Sequence, residues 1–156
     1  MATLVRGLIS GAAGSSALNI VTYLDMAVRG RPESQLPAQD VERLTSLAGV
    51  DLGGDEQTAE HRKTALGSLL GYVSGLGIAT AYAAAQPLLD GAPVPLRAML
   101  VGAAAMAATD AASAALGVTD PRTWSATSWL SDAVPHLAYG AVTVVTHDAL
   151  ASERCV

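Results

Sequence analysis

Five residues near the C-terminus, Asp132, His136, Tyr139, Thr143 and His147, stand at offsets of 0, 4, 7, 11 and 15. On a helix of 3.6 residues per turn they share one face. A row of carboxylate, imidazole, phenol and hydroxyl groups is suited to passing a proton or holding a small polar solute. Asp110, with no other charge between Arg97 and Asp120, is a second source of such chemistry, and Asn19, Thr22, Tyr23 and Asp25 are a third. If His136 pairs with Asp110 their titrations are coupled, which would give sensitivity near neutral pH. The same residues have a plainer reading. Asn19, Tyr23 and Asp110 can serve as hydrogen bonds between helices, worth about 0.6 kcal/mol each in a membrane. Asp132 suits a helix N-cap, and Asp25, His147 and Asp148 suit the ends of helices where water is in reach. The structural reading carries more weight; a proton or small-solute site using Asp110, Asp132 and His136 is the alternative.

Other chemistries lack their residues. His136 and His147 on one helix stand about 16 Å apart, too far for one metal ion or one haem. No serine lies in a G-x-S-x-G context, and phosphate loops, dinucleotide fingerprints and H-E-x-x-H are absent. No cofactor or metal is expected, and an intramembrane enzyme is the least favoured reading. Cys155 is the one cysteine, so no internal disulfide is available. A net charge of −5 with nine basic residues offers no stripe for a phosphate backbone, which argues against nucleic acid.

The elements that must position these groups follow from the charge pattern. Only 15% of the 156 residues are charged, 51% are hydrophobic, and phenylalanine is missing. Twelve of the charged residues lie between Arg29 and Lys63, whereas Gly7 to Leu24, Thr64 to Leu89 and Ala98 to Thr109 hold none. A hydrocarbon core of about 30 Å needs about 20 apolar residues in a helix. The sequence therefore predicts an all-α integral membrane four-helix bundle, one domain over 1–156, with spans at 4–28, 64–89, 95–116 and 132–150. Alanine and leucine without period-two alternation favour helices over strands. Asn19, Tyr23 and the three later spans argue against a cleaved leader at the N-terminus. Six Lys and Arg residues on one side (Arg29, Arg31, Arg43, Arg62, Lys63, Arg122) against Arg6, Arg97 and Arg154 on the other put loop 29–63 in the cytoplasm and both termini outside.

Within that loop, 37–49 reads as a short amphipathic helix, with Val41, Leu44, Leu47 and Ala48 opposite Asp40, Glu42 and Arg43. The bases Arg62 and Lys63 follow Asp55, Glu56 and Glu60 without a breaker, so the second span should start as a helix before the membrane. Asp120 followed by Pro121 is a helix start. Trp124 and Trp129 are expected as interfacial anchors. Gly7, Gly11 and Ser15, then Gly67, Gly71 and Gly75, then Ala103, Ala107, Ala111 and Ala115 recur every four residues. Such rows let helix backbones approach closely, either within the chain or between copies. A leucine at Gly71 separates the two: it disrupts folding in the first case and only the oligomer in the second.

Three stretches carry a resemblance: Asn19-Ile20-Val21-Thr22-Tyr23-Leu24-Asp25-Met26-Ala27-Val28-Arg29-Gly30-Arg31-Pro32, Gly117-Val118-Thr119-Asp120-Pro121-Arg122-Thr123-Trp124, and Asp132-Ala133-Val134-Pro135-His136-Leu137-Ala138-Tyr139-Gly140. They resemble stretches of uncharacterised four-span integral membrane proteins of actinobacteria. More loosely, span number and general character are similar to the YagU-like bacterial inner-membrane family, for which a contribution to acid tolerance is suggested. The resemblance implies a multi-pass protein of the bacterial plasma membrane and assigns no catalytic residue. The expected function is a non-enzymatic one, a self-associating bundle or an accessory subunit of a membrane complex. Its expected partners are the lipid bilayer and copies of itself or other membrane subunits.

Overall fold

A computed structural model describes residues 2–152. Arg154 and Cys155 lie outside the described residues. Among the described residues the chain is all-helical, with five α-helices, two short 3₁₀ turns and no strand. They are α1 (Thr3–Arg29), α2 (Leu36–Ala48), α3 (Glu56–Ala85), α4 (Val94–Ala115) and α5 (Ala126–Ser152). Boundaries follow local chemistry. Gly30 and Gly49 close α1 and α2 in left-handed geometry, which a residue without a Cβ adopts freely. Asp55 caps α3 by accepting from the Thr58 amide at 2.8 Å, and Thr58 holds its carboxyl below the usual carboxylate range. Proline follows the first residue of both α2 and α4, where a missing N–H costs nothing.

Two boundaries differ from expectation. The last helix begins at Ala126, six residues before 132, because Ser125 caps it: its hydroxyl accepts from the Ser128 amide at 3.1 Å. Asp132 is therefore inside the helix and not its cap, and Trp129 belongs to the first turn. Asp120-Pro121 opens only a 3₁₀ turn, Pro121–Thr123, with the Asp120 carboxylate accepting from the Arg122 amide at 3.0 Å.

Three helical segments are long and apolar enough to cross a membrane: α1, α3 with its 3₁₀ extension to Leu89, and α4. The fourth expected span is not among them. At 27 residues α5 has the length, but its polar row lowers its hydropathy. The outward faces suit lipid. Ile20, Leu69, Val73 and Met99 are each 58–64% exposed, which would be expensive in water.

The long helices run up and down, with α1 antiparallel to α3 and α5, and α4 antiparallel to α5. Gly7 lies on Thr80 and Gly11 on Leu76, joining α1 to α3; Gly14 lies on Tyr139, joining α1 to α5; Gly102 lies on His136, joining α4 to α5. The helix ends are thus sorted into two sets. One, called here the α2 end, gathers Asp25, Asp110 and Asp132. The other, the hairpin end, gathers Arg6, Tyr82, Arg97 and His147. The core is small: Tyr82, Ala98, Val101, Ala105, Tyr139 and Val144. Helix α2 crosses from α3 to α4. The Pro37 backbone sits against Gly67, the Ser113 hydroxyl donates to Asp40 Oδ2 at 2.6 Å, and Arg43 Nε donates to the Leu116 carbonyl at 3.2 Å. Its apolar face is not buried as a unit: Val41 is buried, whereas Leu47 is 64% exposed. Asp40, expected on the solvent side, is turned onto α4.

Candidate functional site

Glycine contacts set the positions of the polar groups. A Cβ on Gly102 would lie 2.6 Å from the His136 carbonyl, and one on Gly140 would lie 2.6 Å from the Gly102 amide nitrogen. Helices α4 and α5 therefore touch backbone to backbone, and neither glycine stands out in the sequence as a member of a four-residue repeat. Of the expected packing glycines, Gly7, Gly11, Gly67 and Gly75 are all used inside the chain. Gly71 is not: nothing lies within 4 Å of its Cβ position. Gly71 lies one turn from each packed glycine, about 40° round the axis from both, in the gap between α2, which covers Gly67, and Ser15 of α1 and Tyr139 of α5, which cover Gly75.

That α4–α5 contact brings Asp110 beside Asp132 and His136, near enough for both to act on its carboxyl. His136 Nδ1 lies 2.8 Å from the Asp132 carbonyl and 3.3 Å from its Oδ1. Both are acceptors, so Nδ1 carries the proton and donates, which leaves Nε2 as the basic nitrogen. Asp132 Oδ2 is buried without a hydrogen-bond partner. Two carboxyls and an imidazole in this arrangement can share and relay protons. Among the described residues no group of three or more His, Cys, Asp or Glu side chains is arranged to hold a metal ion.

The other members of the expected polar cluster go elsewhere. Asn19 Nδ2 donates to the Tyr72 hydroxyl at 3.1 Å, a link from α1 to α3. Tyr23 is 56% exposed on the outer face of α1. Asp25 is held by Arg29 and, at 2.6 Å, by Arg31 Nε; Arg29 also donates to Ser131 and so ties α1 to the start of α5. Tyr139 points to the bundle axis and donates to the Gly75 carbonyl at 2.6 Å. The single cluster expected from three helices is therefore an Asp110–Asp132–His136 group flanked by separate structural links. Depth along a helix is legible in a sequence; rotation about its axis is legible only where a polar row marks one face, as in α5, whose Tyr139, Thr143 and His147 are buried.

A groove of about 430 Å³ runs beside Asp110 on the outer side of α4. Its lining is Ala103, Met106, Ala107, Ala111, Ala114, Pro121 and Trp129, with Asp110 as the only ionisable group. Trp124 and Trp129 meet at a centroid separation of 5.2 Å, and Trp124 Nε1 donates to Thr119 Oγ1 at 2.8 Å.

Sequence reasoning missed the hairpin end. Arg97 donates to both oxygens of Asp148, at 2.9 and 2.7 Å, and to the Tyr82 hydroxyl at 3.1 Å. A signal existed: Arg97 opens the third span and Asp148 nears the end of the last, so two antiparallel helices carry opposite charges at one depth. Comparison with protein-family models, with curated proteins and with solved structures finds no match for this chain.

Proposed function

We propose that this protein is a non-enzymatic component of the bacterial plasma membrane that associates with a second copy of itself through the outer face of α4. The observation that carries the reading is Asp110, an ionisable residue in the wall of a groove otherwise lined by alanine, methionine, proline and tryptophan. A carboxyl only half-covered by Asp132 and His136 is costly in a wall that meets hydrocarbon unless a neighbour completes its cover. Alanines at 103, 107 and 111 leave room for another helix backbone, the kind of face through which helices associate where lipid gives no hydrophobic drive. Glycine 71, open on α3, is a second position at which a neighbouring helix can approach.

In this reading α5 is the fourth span. Its polar row packs inward, while Leu130, Val134, Leu137 and Val145 are 46–63% exposed along one outward face. The excess of Lys and Arg puts the α2 end in the cytoplasm. Oxidative cross-linking in membranes tests the association. With Cys155→Ser as background, Ala107→Cys should give a disulfide-linked dimer, and Asp110→Asn should reduce its yield. Cross-linking at Val73→Cys on α3 with none at Ala107→Cys would overturn the α4 interface.

A second reading has its own support in the unpartnered buried Oδ2 of Asp132 beside His136 and Asp110: a proton or small-solute pathway at the α2 end. Four spans are few for an alternating-access carrier, so this reading also requires an oligomer. Proteoliposome flux between about pH 5 and pH 8, spanning the histidine range, that is unchanged by Asp110→Asn would remove it.

A further inference from the structure

We infer that the hairpin end holds a binding site for a phosphate-type oxyanion, built from Arg6 of α1 and His147 of α5 with Arg97 of α4 behind them. The site lies at the opposite end of the bundle from Asp110 and does not depend on self-association.

His147 is 2% exposed, and neither of its ring nitrogens has a hydrogen-bond partner. Arg6 Nε, on the facing helix, is buried and equally without one. Three unsatisfied nitrogens gathered on two helices are unusual, because a buried polar atom normally finds a partner. The surroundings of the imidazole say which kind of partner is missing. The Tyr82 ring meets it edge-on at a centroid separation of 5.2 Å. Asp148 Oδ1 stands 3.6 Å from Nδ1, beyond hydrogen-bond reach, and both Asp148 oxygens already accept from Arg97. The guanidinium groups of Arg6 and Arg97 are both near enough to act on the ring.

Two permanent cations and one carboxylate already engaged by Arg97 thus lie around the ring, and the free groups are a guanidinium N–H and an imidazole. A metal cation is repelled by that charge. An anion with several acceptor oxygens is attracted by it, and a phosphate can accept from Arg6 Nε and from the N–H of His147 at once. Arg6 Nε and both ring nitrogens of His147 are themselves closed to solvent, so an anion reaches them from the end of the bundle only as the partly buried Arg6 side chain turns aside there, next to the 35% exposed Asp148 side chain. In the proposed topology that end meets the lipid headgroups, so a phosphodiester headgroup and free phosphate share the required chemistry.

Two arms distinguish the sources. In the first, full-length protein in nanodiscs of mixed phosphatidylglycerol and phosphatidylcholine is released into a native mass spectrometer. Retained phosphatidylglycerol identifies the headgroup, and Arg6→Gln and His147→Gln should each lower its retention about tenfold, the loss of one charge-assisted hydrogen bond. In the second, inorganic phosphate is titrated calorimetrically into protein in phosphatidylcholine nanodiscs; saturable binding with the same sensitivity identifies the free anion. Asp110→Asn should leave both arms unchanged, which separates this site from the α4 interface. Wild-type protein that binds neither probe, or binding indifferent to Arg6→Gln and His147→Gln when circular dichroism shows both variants helical, overturns the proposal.

Discussion

Gly102 of α4 and Gly140 of α5 face each other so closely that a Cβ on Gly140 would stand 2.6 Å from the Gly102 amide nitrogen and 2.9 Å from its Cα. No real Cβ survives at such a distance, so the two helices meet through backbone alone. The group formed by Asp110 on one helix and Asp132 and His136 on the other exists because of that contact.

Alanine at Gly140 should therefore splay α4 from α5 and cost about 3 kcal/mol, the upper part of the range for overpacking a tight contact. Leucine at Gly71, where space is open, should leave the fold intact. Thermal unfolding in detergent compares the two. Equal loss in both variants would mean that α3 uses Gly71 inside the bundle after all.

Breaking the Arg97–Asp148 pair should be the most damaging polar change at the hairpin end. Arg97→Met leaves the Asp148 carboxylate, 35% exposed, without its partner, at a cost of about 1–2 kcal/mol, below that of a fully buried pair because water still reaches it. The exchange Arg97→Asp with Asp148→Arg should recover part of it in a double-mutant cycle. No recovery would indicate that Tyr82, which also accepts from Arg97, fixes the arginine more than its charge partner does.

Helix α2 is tied to α4 by few groups, and the half-buried Asp40 is one of them. Asp40→Ala removes the acceptor for the Ser113 hydroxyl and should loosen α2 while α1, α3, α4 and α5 stay packed. Limited proteolysis should then cut at 50–54 several-fold faster, with no change in the melting of the remaining helices. Unchanged cleavage would show that Val41 and the Gly67 contact hold α2 alone.

The start of α3 should respond to acid in a defined direction. Thr58 lowers the Asp55 carboxyl below its usual range, so the ionised cap stabilises the helix above the unfolded value near pH 3.9. That contribution is lost as pH falls through the lower folded value. Amide exchange at Thr58 should stay slow at mild acidity and quicken only below the ordinary carboxylate range. Asp55→Asn should flatten this dependence.

The amino-acid sequence by itself determined the helices and much of their order. Uncharged stretches from Gly7 to Leu24, Thr64 to Leu89 and Ala98 to Thr109 mark α1, α3 and α4, because apolar length and missing charge are local properties of the chain. The same holds for Gly49 at the end of α2 and Asp55 at the start of α3, where one residue's chemistry stops or starts a helix. Charge depth is equally legible, which is why the sequence groups Asp110 with Asp132 and His136, and the α4–α5 contact brings them side by side. The polar row of α5 already marks its inward face, but the tertiary structure alone decided which way α1, α3 and α4 are rolled about their axes. That rotation sent Asn19 to Tyr72, Tyr23 outward and Asp25 to Arg29 and Arg31, and it left Gly71 open between two packed glycines. It also paired Gly102 with Gly140 and Arg97 with Asp148, partners 38 and 51 residues apart in the chain. A helix's roll is set by the fit of its whole surface against its neighbours, and no short stretch of sequence contains both halves of that fit.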